Sequence, residues 1–369
     1  MSTTPPDPAT QPSTEHGTEH GVEHGVDVRA LRDAVRHRDH EVAEACRARL
    51  ASAPGGLGRL TQLAAWVAGA QVQDPPRPLD DVRLVAFAAD HGVAVRGVST
   101  AAPGATAARV QDLAAGRGAL SALARQHHVP VRVVDLTVDG DLSGLGPDVG
   151  RFAVRRGSGP IDVQDALSTD EVAAAFAVGV LVADEAVDSG ADLLVPVAVG
   201  AAGTTVASAL VAVLLGLHPL DVISIPPGAD DQLWARTVAV LRDAAYRGRL
   251  LRADPLAALA AVGGADLAAL TGLLVQAAAR RTPVLLDGLV PCAAGLAARR
   301  LVEGSQDWWL AGHRTAEPAQ HRALDVLGLE PVLDLGLHGG ASAGLGALTA
   351  LAVLRSAVAT AEQPTPEQR

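Results

Sequence analysis

From Val82 onward the chain repeats one pattern: a short apolar run, a turn, then a longer segment of helical periodicity. Residues 82–88, 131–136, 193–199, 222–225 and 284–286 read as strands, and 307–310 and 331–335 as further short ones. Residues 105–125, 170–189, 204–215, 231–245, 265–279 and 293–302 read as helices, and 344–360 as an apolar closing helix. Apolar runs without polar alternation mark strands covered on both faces, and strand–helix repetition lays successive strands parallel. The expectation is an α/β fold, a Rossmann-like parallel sheet with helices on both faces.

The N-terminal part differs. Residues 28–50 place Leu31, Val35, Val42, Cys46 and Leu50 on one helical face, and 57–70 form a second amphipathic helix around Leu60, Leu63 and Trp66. Residues 1–27 carry a repeat, Glu15-His16-Gly17, Glu19-His20-Gly21 and Glu23-His24-Gly25, read as a disordered tail that cannot preform a metal shell. The expected division is this tail, a large α/β domain over 81–304, a small mainly helical domain from 28–80 with 305–361, and a frayed end at 362–369.

Several partner classes are set aside by composition. A net charge of −11 opposes nucleic-acid and anionic-membrane surfaces. The longest apolar stretches, 172–183 and 206–217, fall short of the roughly 20 residues of a membrane span. With no apolar leader and only Cys46 and Cys292, a cytoplasmic protein without disulfides or a zinc site is expected. All 30 basic side chains are arginine, and with 2% aromatic residues the core must be built from Ala, Val and Leu.

Candidate chemistry clusters at predicted strand ends. The first strand runs into Asp90-His91-Gly92, with Gly97 and Ser99 following, in the position where open α/β sheets hold ligands. Gly-rich turns are expected to follow other strands: Gly200-Ala201-Ala202-Gly203-Thr204-Thr205, Gly228, Gly263-Gly264, and Gly339-Gly340 through Gly344. The first suits an anion, because glycines open the turn and two Thr hydroxyls sit at a helix start. His313-Arg314-Thr315-Ala316-Glu317 offers an imidazole, a cation and a carboxylate, or a solvated cap. Asp287-Gly288 could orient a hydroxyl or simply turn, and Cys292 reads as core rather than nucleophile.

The order of these blocks resembles the nicotinate-nucleotide:dimethylbenzimidazole phosphoribosyltransferases of cobalamin assembly. The resemblance spans roughly 45–360. Its blocks are Pro54-Gly55-Gly56-Leu57-Gly58-Arg59-Leu60, Ala89-Asp90-His91-Gly92, Arg156-Gly157-Ser158-Gly159, Thr204-Thr205, Gly263-Gly264-Ala265-Asp266, Asp287-Gly288, and Ala311-Gly312-His313-Arg314. It implies a homodimer needing neither metal nor cofactor, with its site between a large and a small domain. The implied reaction moves phosphoribosyl from nicotinate mononucleotide to 5,6-dimethylbenzimidazole. The implied binding residues are Asp90, His91, Gly92, Ser99, Gly200, Gly203, Thr204, Thr205, Gly228, Asp287, His313, Gly340 and Gly344.

Departures from the family pattern fall on chemical groups. The family's C-terminal glutamate, which takes the azole proton, aligns with Ala341. A second carboxylate aligns with Ala198, a lysine with Thr237, and a glycine turn with Pro226-Pro227. Two readings follow. In one the chain is a transferase with Glu317 as substitute base. In the other, which predicts weak or absent turnover, it is a non-catalytic homologue that binds a nucleotide or base or partners an active paralogue.

Overall fold

The computed structural model describes residues 25–51, 56–102, 104–224, 228–340 and 342–362. Helices α1 (Val28–Ala34), α2 (His40–Ala51) and α3 (Arg59–Gln71) precede strand β1 (Val82–Ala89). Next come α4 (Ala105–Ala114), α5 (Gly118–Gln126), β2 (Val131–Thr137), the single turn α6 (Pro147–Gly150), α7 (Thr169–Asp188), β3 (Leu193–Val199) and α8 (Gly203–Leu215). Helices α9 (Asp231–Gly248), α10 (Pro255–Val262) and α11 (Ala265–Ala279) lead to β4 (Val284–Asp287) and α12 (Leu289–Leu301). The chain closes with β5 (Trp309–Arg314), α13 (Pro318–Leu327), β6 (Leu333–Asp334) and α14 (Leu345–Ala361).

All six strands join one parallel sheet in the order β2-β1-β3-β4-β5-β6. Side chains alternate across a strand, so Leu84, Ala86 and Ala88 enter one core while Val85 and Phe87 enter the other. The first core is closed by residues of α2, α3, α5 and α14, the second by residues of α7, α8 and α10 to α13. The chain passes from β1 out to β2, returns beyond β1 to β3, and then continues outward to β6. That reversal leaves a crevice at the carboxyl ends of β1 and β3, where open parallel sheets bind ligands.

Small residues set the helix spacing. A Cβ on Gly179 of α7 would lie 1.8 Å from the Ala269 carbonyl oxygen of α11, and one on Gly272 would lie 2.2 Å from that of Phe176. The two helices therefore meet backbone to backbone. On the opposite face α3 packs against α14, whereas α1 lies beside α11. Strands β5 and β6, although they come from the C-terminal segment, extend the main sheet.

Several sequence expectations change. Residues 222–224 form no strand: they follow a short turn begun by Pro219, and β3 already has β1 and β4 on its two edges, while Ile225 lies outside the described residues. The helix expected over 105–125 is two, broken where Gly116 and Gly118 take positive φ of 68° and 87°. Residues 28–50 also divide, because the helix ends at Ala34 and restarts at His40. Gly263-Gly264 joins α10 to α11 rather than following a strand, and α10 itself, capped by the Asp254 side chain, went unread. No strand among the described residues leads into Gly228. The tail repeat over residues 1–24, Pro54-Gly55, Pro226-Pro227 and Ala341 lie outside the described residues.

Candidate active site

The floor of the crevice is set by the two residues after β1. Asp90 accepts hydrogen bonds from the Thr106 hydroxyl (2.5 Å) and the Asp139 amide (2.9 Å), and Thr106 Oγ1 in turn accepts from the Ala201 amide (3.2 Å). Its carboxylate thus ties α4 to the β3–α8 turn. His91 is 2% exposed, with Nε2 3.3 Å from Asp266 Oδ2. Burial disfavours its charged form, but the Asp266 and Asp90 carboxylates outweigh that and hold its pKa above the usual histidine value. The ring stacks its edges under Gly200, Gly203 and Gly264. Gly200 is a required glycine, since a Cβ there would stand 2.1 Å from the Ala89 carbonyl oxygen. Gly92 is also crowded, but by the carbonyl oxygen of Ser158 at 2.2 Å from a Cβ, so its close approach is to a neighbouring loop.

Above this floor stands the N-terminus of α8. Ala202 precedes it in the left-handed region (φ 63°), and no side chain caps it. Uncapped N–H groups and the helix dipole make such a terminus attractive to an anion. It opens into a cavity of about 320 Å³ lined by Ser99, Arg109, Thr204, Glu317, His338 and Gly340, among others. That volume is of the size that holds a small ligand.

Glu317 enters the same cavity from the start of α13. Pro318 begins that helix at its first turn, where a missing N–H costs nothing. Gln320 accepts from the Thr315 amide and hydroxyl (2.6 Å each), which fixes the preceding loop. Glu317 is 2% exposed; its Oε1 accepts from the Gly339 amide (2.5 Å), and its Oε2 is buried with no partner among the described residues.

A second cluster lies at the ends of β4 and β5. Asp287 Oδ2 accepts from the Gly344 amide and Oδ1 from the Ala347 amide (3.0 Å), so this carboxylate caps α14. His313, 1% exposed, places Nδ1 2.8 Å from Asp287 Oδ1. A Cβ on Gly346 would lie 1.9 Å from that Nδ1. Asp287, His313 and Ala198 line a cavity of about 30 Å³ beside the larger one, room for no more than water.

Of the sequence candidates, the structure therefore gathers Ser99, Gly200, Gly203, Thr204, Thr205, Glu317 and Gly340 around one cavity. His91 and Asp90 support it from below, Asp287, His313 and Gly344 form the α14 node, and Gly228 is in neither lining. The His313–Glu317 cluster separates: His313 points inward, Arg314 is exposed, and Glu317 reaches the cavity. Cys292 is core, as read, with burial pushing its thiol up to about 12. Among the described residues no group of three His, Cys, Asp or Glu side chains is placed to hold a metal. Arg109, Thr100 and His338 also line the cavity. They went unread because a helical arginine and loop residues give no local signal.

A family model described as phosphoribosyltransferase matches residues 35–367. The chain is 48% identical over 324 residues to nicotinate-nucleotide–dimethylbenzimidazole phosphoribosyltransferase of Mycobacterium leprae, covering 87% of this chain and 91% of that one. A Mycobacterium ulcerans relative of the same name is 48% identical over 305 residues, 83% of this chain and 84% of its own length. A crystal structure of the enzyme of that name from Thermus thermophilus superposes with a TM-score of 0.81 at 32% identity, covering 89% of this chain and 98% of that one.

Proposed function

The chain belongs to the nicotinate-nucleotide:dimethylbenzimidazole phosphoribosyltransferase family, and from that membership we propose that it is a working transferase with Glu317 as its base. It moves phosphoribosyl from nicotinate mononucleotide to 5,6-dimethylbenzimidazole. The bond from ribose C1′ to nicotinate breaks and its electron pair leaves with nicotinate. One azole nitrogen forms the new bond to C1′, and the N–H proton of the other passes to Glu317. The products are α-ribazole phosphate and nicotinate.

One observation carries this reading. Glu317 has a fixed oxygen and an unspent one, and it shares a cavity with the bare N-terminus of α8. The anchored carboxylate is oriented as a base must be, and the helix terminus suits the donor's phosphate. Ser99, Gly200, Thr204, Thr205 and Gly340 surround the substrates, while His91 holds the floor. The non-catalytic alternative finds no support among relatives that share about half this sequence and carry the enzyme's name. A homodimer in the cytoplasm completes the reading, in keeping with two free buried cysteines.

The test is a steady-state assay with both substrates. Turnover of about 1 s⁻¹ or more, lost in Glu317→Gln, supports the proposal. Absence of α-ribazole phosphate at any substrate concentration removes it.

A further inference from the structure

We infer that Arg109 supplies the fixed positive charge that holds the phosphate of the phosphoribosyl group. The inference rests on the transferase reading above. Nicotinate mononucleotide and α-ribazole phosphate are both phosphomonoesters, close to dianionic at neutral pH. The cavity that would receive them already contains the carboxylate of Glu317, so their charge needs compensation in a confined space. The α8 terminus offers N–H groups but only a fractional charge. Thr237, at the position of the family's lysine, spends its hydroxyl on the Leu233 carbonyl within its own helix (2.8 Å).

Arg109 is the only Lys or Arg among the described residues that line this cavity. Its guanidinium has no hydrogen bond or ion pair among the described residues, although it is half-buried. Other arginines nearby in sequence behave differently. Arg96 pairs with Asp162, Arg117 with Asp112, and Arg125 with the Gly116 carbonyl. Placement follows from the helix: Arg109 stands three residues after Thr106, hence on the same face, and Thr106 is bonded to the Ala201 amide in the β3–α8 turn. That face of α4 therefore fronts the turn that presents the α8 terminus. A guanidinium and a row of backbone N–H groups then approach one phosphate from two sides, in the forked geometry arginine suits best.

Calorimetric titration of the full chain with α-ribazole phosphate and with α-ribazole separates the possibilities. In the unmodified protein the phosphorylated ligand should bind more tightly. Arg109→Ala should weaken it roughly ten- to hundredfold, as loss of a charge-assisted contact does, while binding of α-ribazole stays unchanged. Arg109→Lys should fall between them. The melting temperature of both variants should match the unmodified chain, because the side chain has no hydrogen-bond or ion-pair partner to lose among the described residues. An Arg109→Ala protein that keeps the full preference for the phosphorylated ligand overturns the inference and leaves the transferase reading standing. If the unmodified protein binds neither ligand, the transferase reading falls and the inference falls with it.

Discussion

At the end of β4 the carboxylate of Asp287 is spent on the protein: the Gly344 and Ala347 amides donate to it, and the His313 ring lies against it. Across the cavity wall the carboxylate of Glu317 is equally buried, yet one of its oxygens has no donor among the described residues. Both are acidic residues just beyond parallel strands, and both looked like chemistry in the sequence. The difference lies in where their hydrogen bonds go. A buried polar group with its partners supplied holds the fold together, whereas one kept unsatisfied is held ready for something else.

The sharpest way to break this contrast is to exchange the two carboxylates for neutral residues and read activity and stability separately. Glu317→Gln keeps an acceptor for the Gly339 amide, so the fold should survive while turnover falls by about 10²–10⁴-fold. A variant with normal turnover would show that the unspent oxygen is no base. Asp287→Ala should do the reverse and cost about 3–5 kcal/mol of unfolding free energy in urea titrations, because His313 and two amides lose their partner. A shift below about 1 kcal/mol there would mean that water replaces the carboxylate.

A smaller effect probes the packing of the same node. Gly346→Ala must push a methyl against His313 Nδ1, and should destabilise by about 1–3 kcal/mol. An unchanged melting curve would show that the ring has room to move. The smallest effect concerns His91 beneath the cavity. Its pKa is raised in the folded state, so its contribution to stability is complete below the unfolded value of about 6.5 and fades as pH climbs through the folded one. Denaturation at a series of pH values should show this decline in the unmodified chain and a flatter profile in Asp266→Asn. Parallel profiles would uncouple the pair.

How much of this was legible in the sequence depended on range. The central strands were readable because each carries its signal within a short, mostly apolar run, and the Asp90-His91 and Gly200 turns were readable because they abut those strands. Residues 222–224 misled for the opposite reason: locally strand-like in sequence, they meet a sheet with no free edge beside β3. Asp287 could not be assigned, since its partners Gly344 and Ala347 lie 57 and 60 residues away. Arg109 was invisible as one of 30 arginines, distinguished only by what it fails to touch. Glu317 was named from its position in a motif, but its half-anchored state required coordinates.

The backbone contact between α7 and α11 has a consequence for how this protein can change. Where two helices touch through main-chain atoms, their separation is fixed by covalent geometry and is insensitive to which side chains surround them. Helix α11 begins next to His91, so the platform beneath the cavity inherits that fixed distance. Drift in the residues around the cavity can then exchange one side chain for another without tilting the platform on which any new arrangement must be assembled. Such a scaffold is insulated from experiments conducted on its own surface, and Gly179 and Gly272 are the two positions where that insulation can be cut.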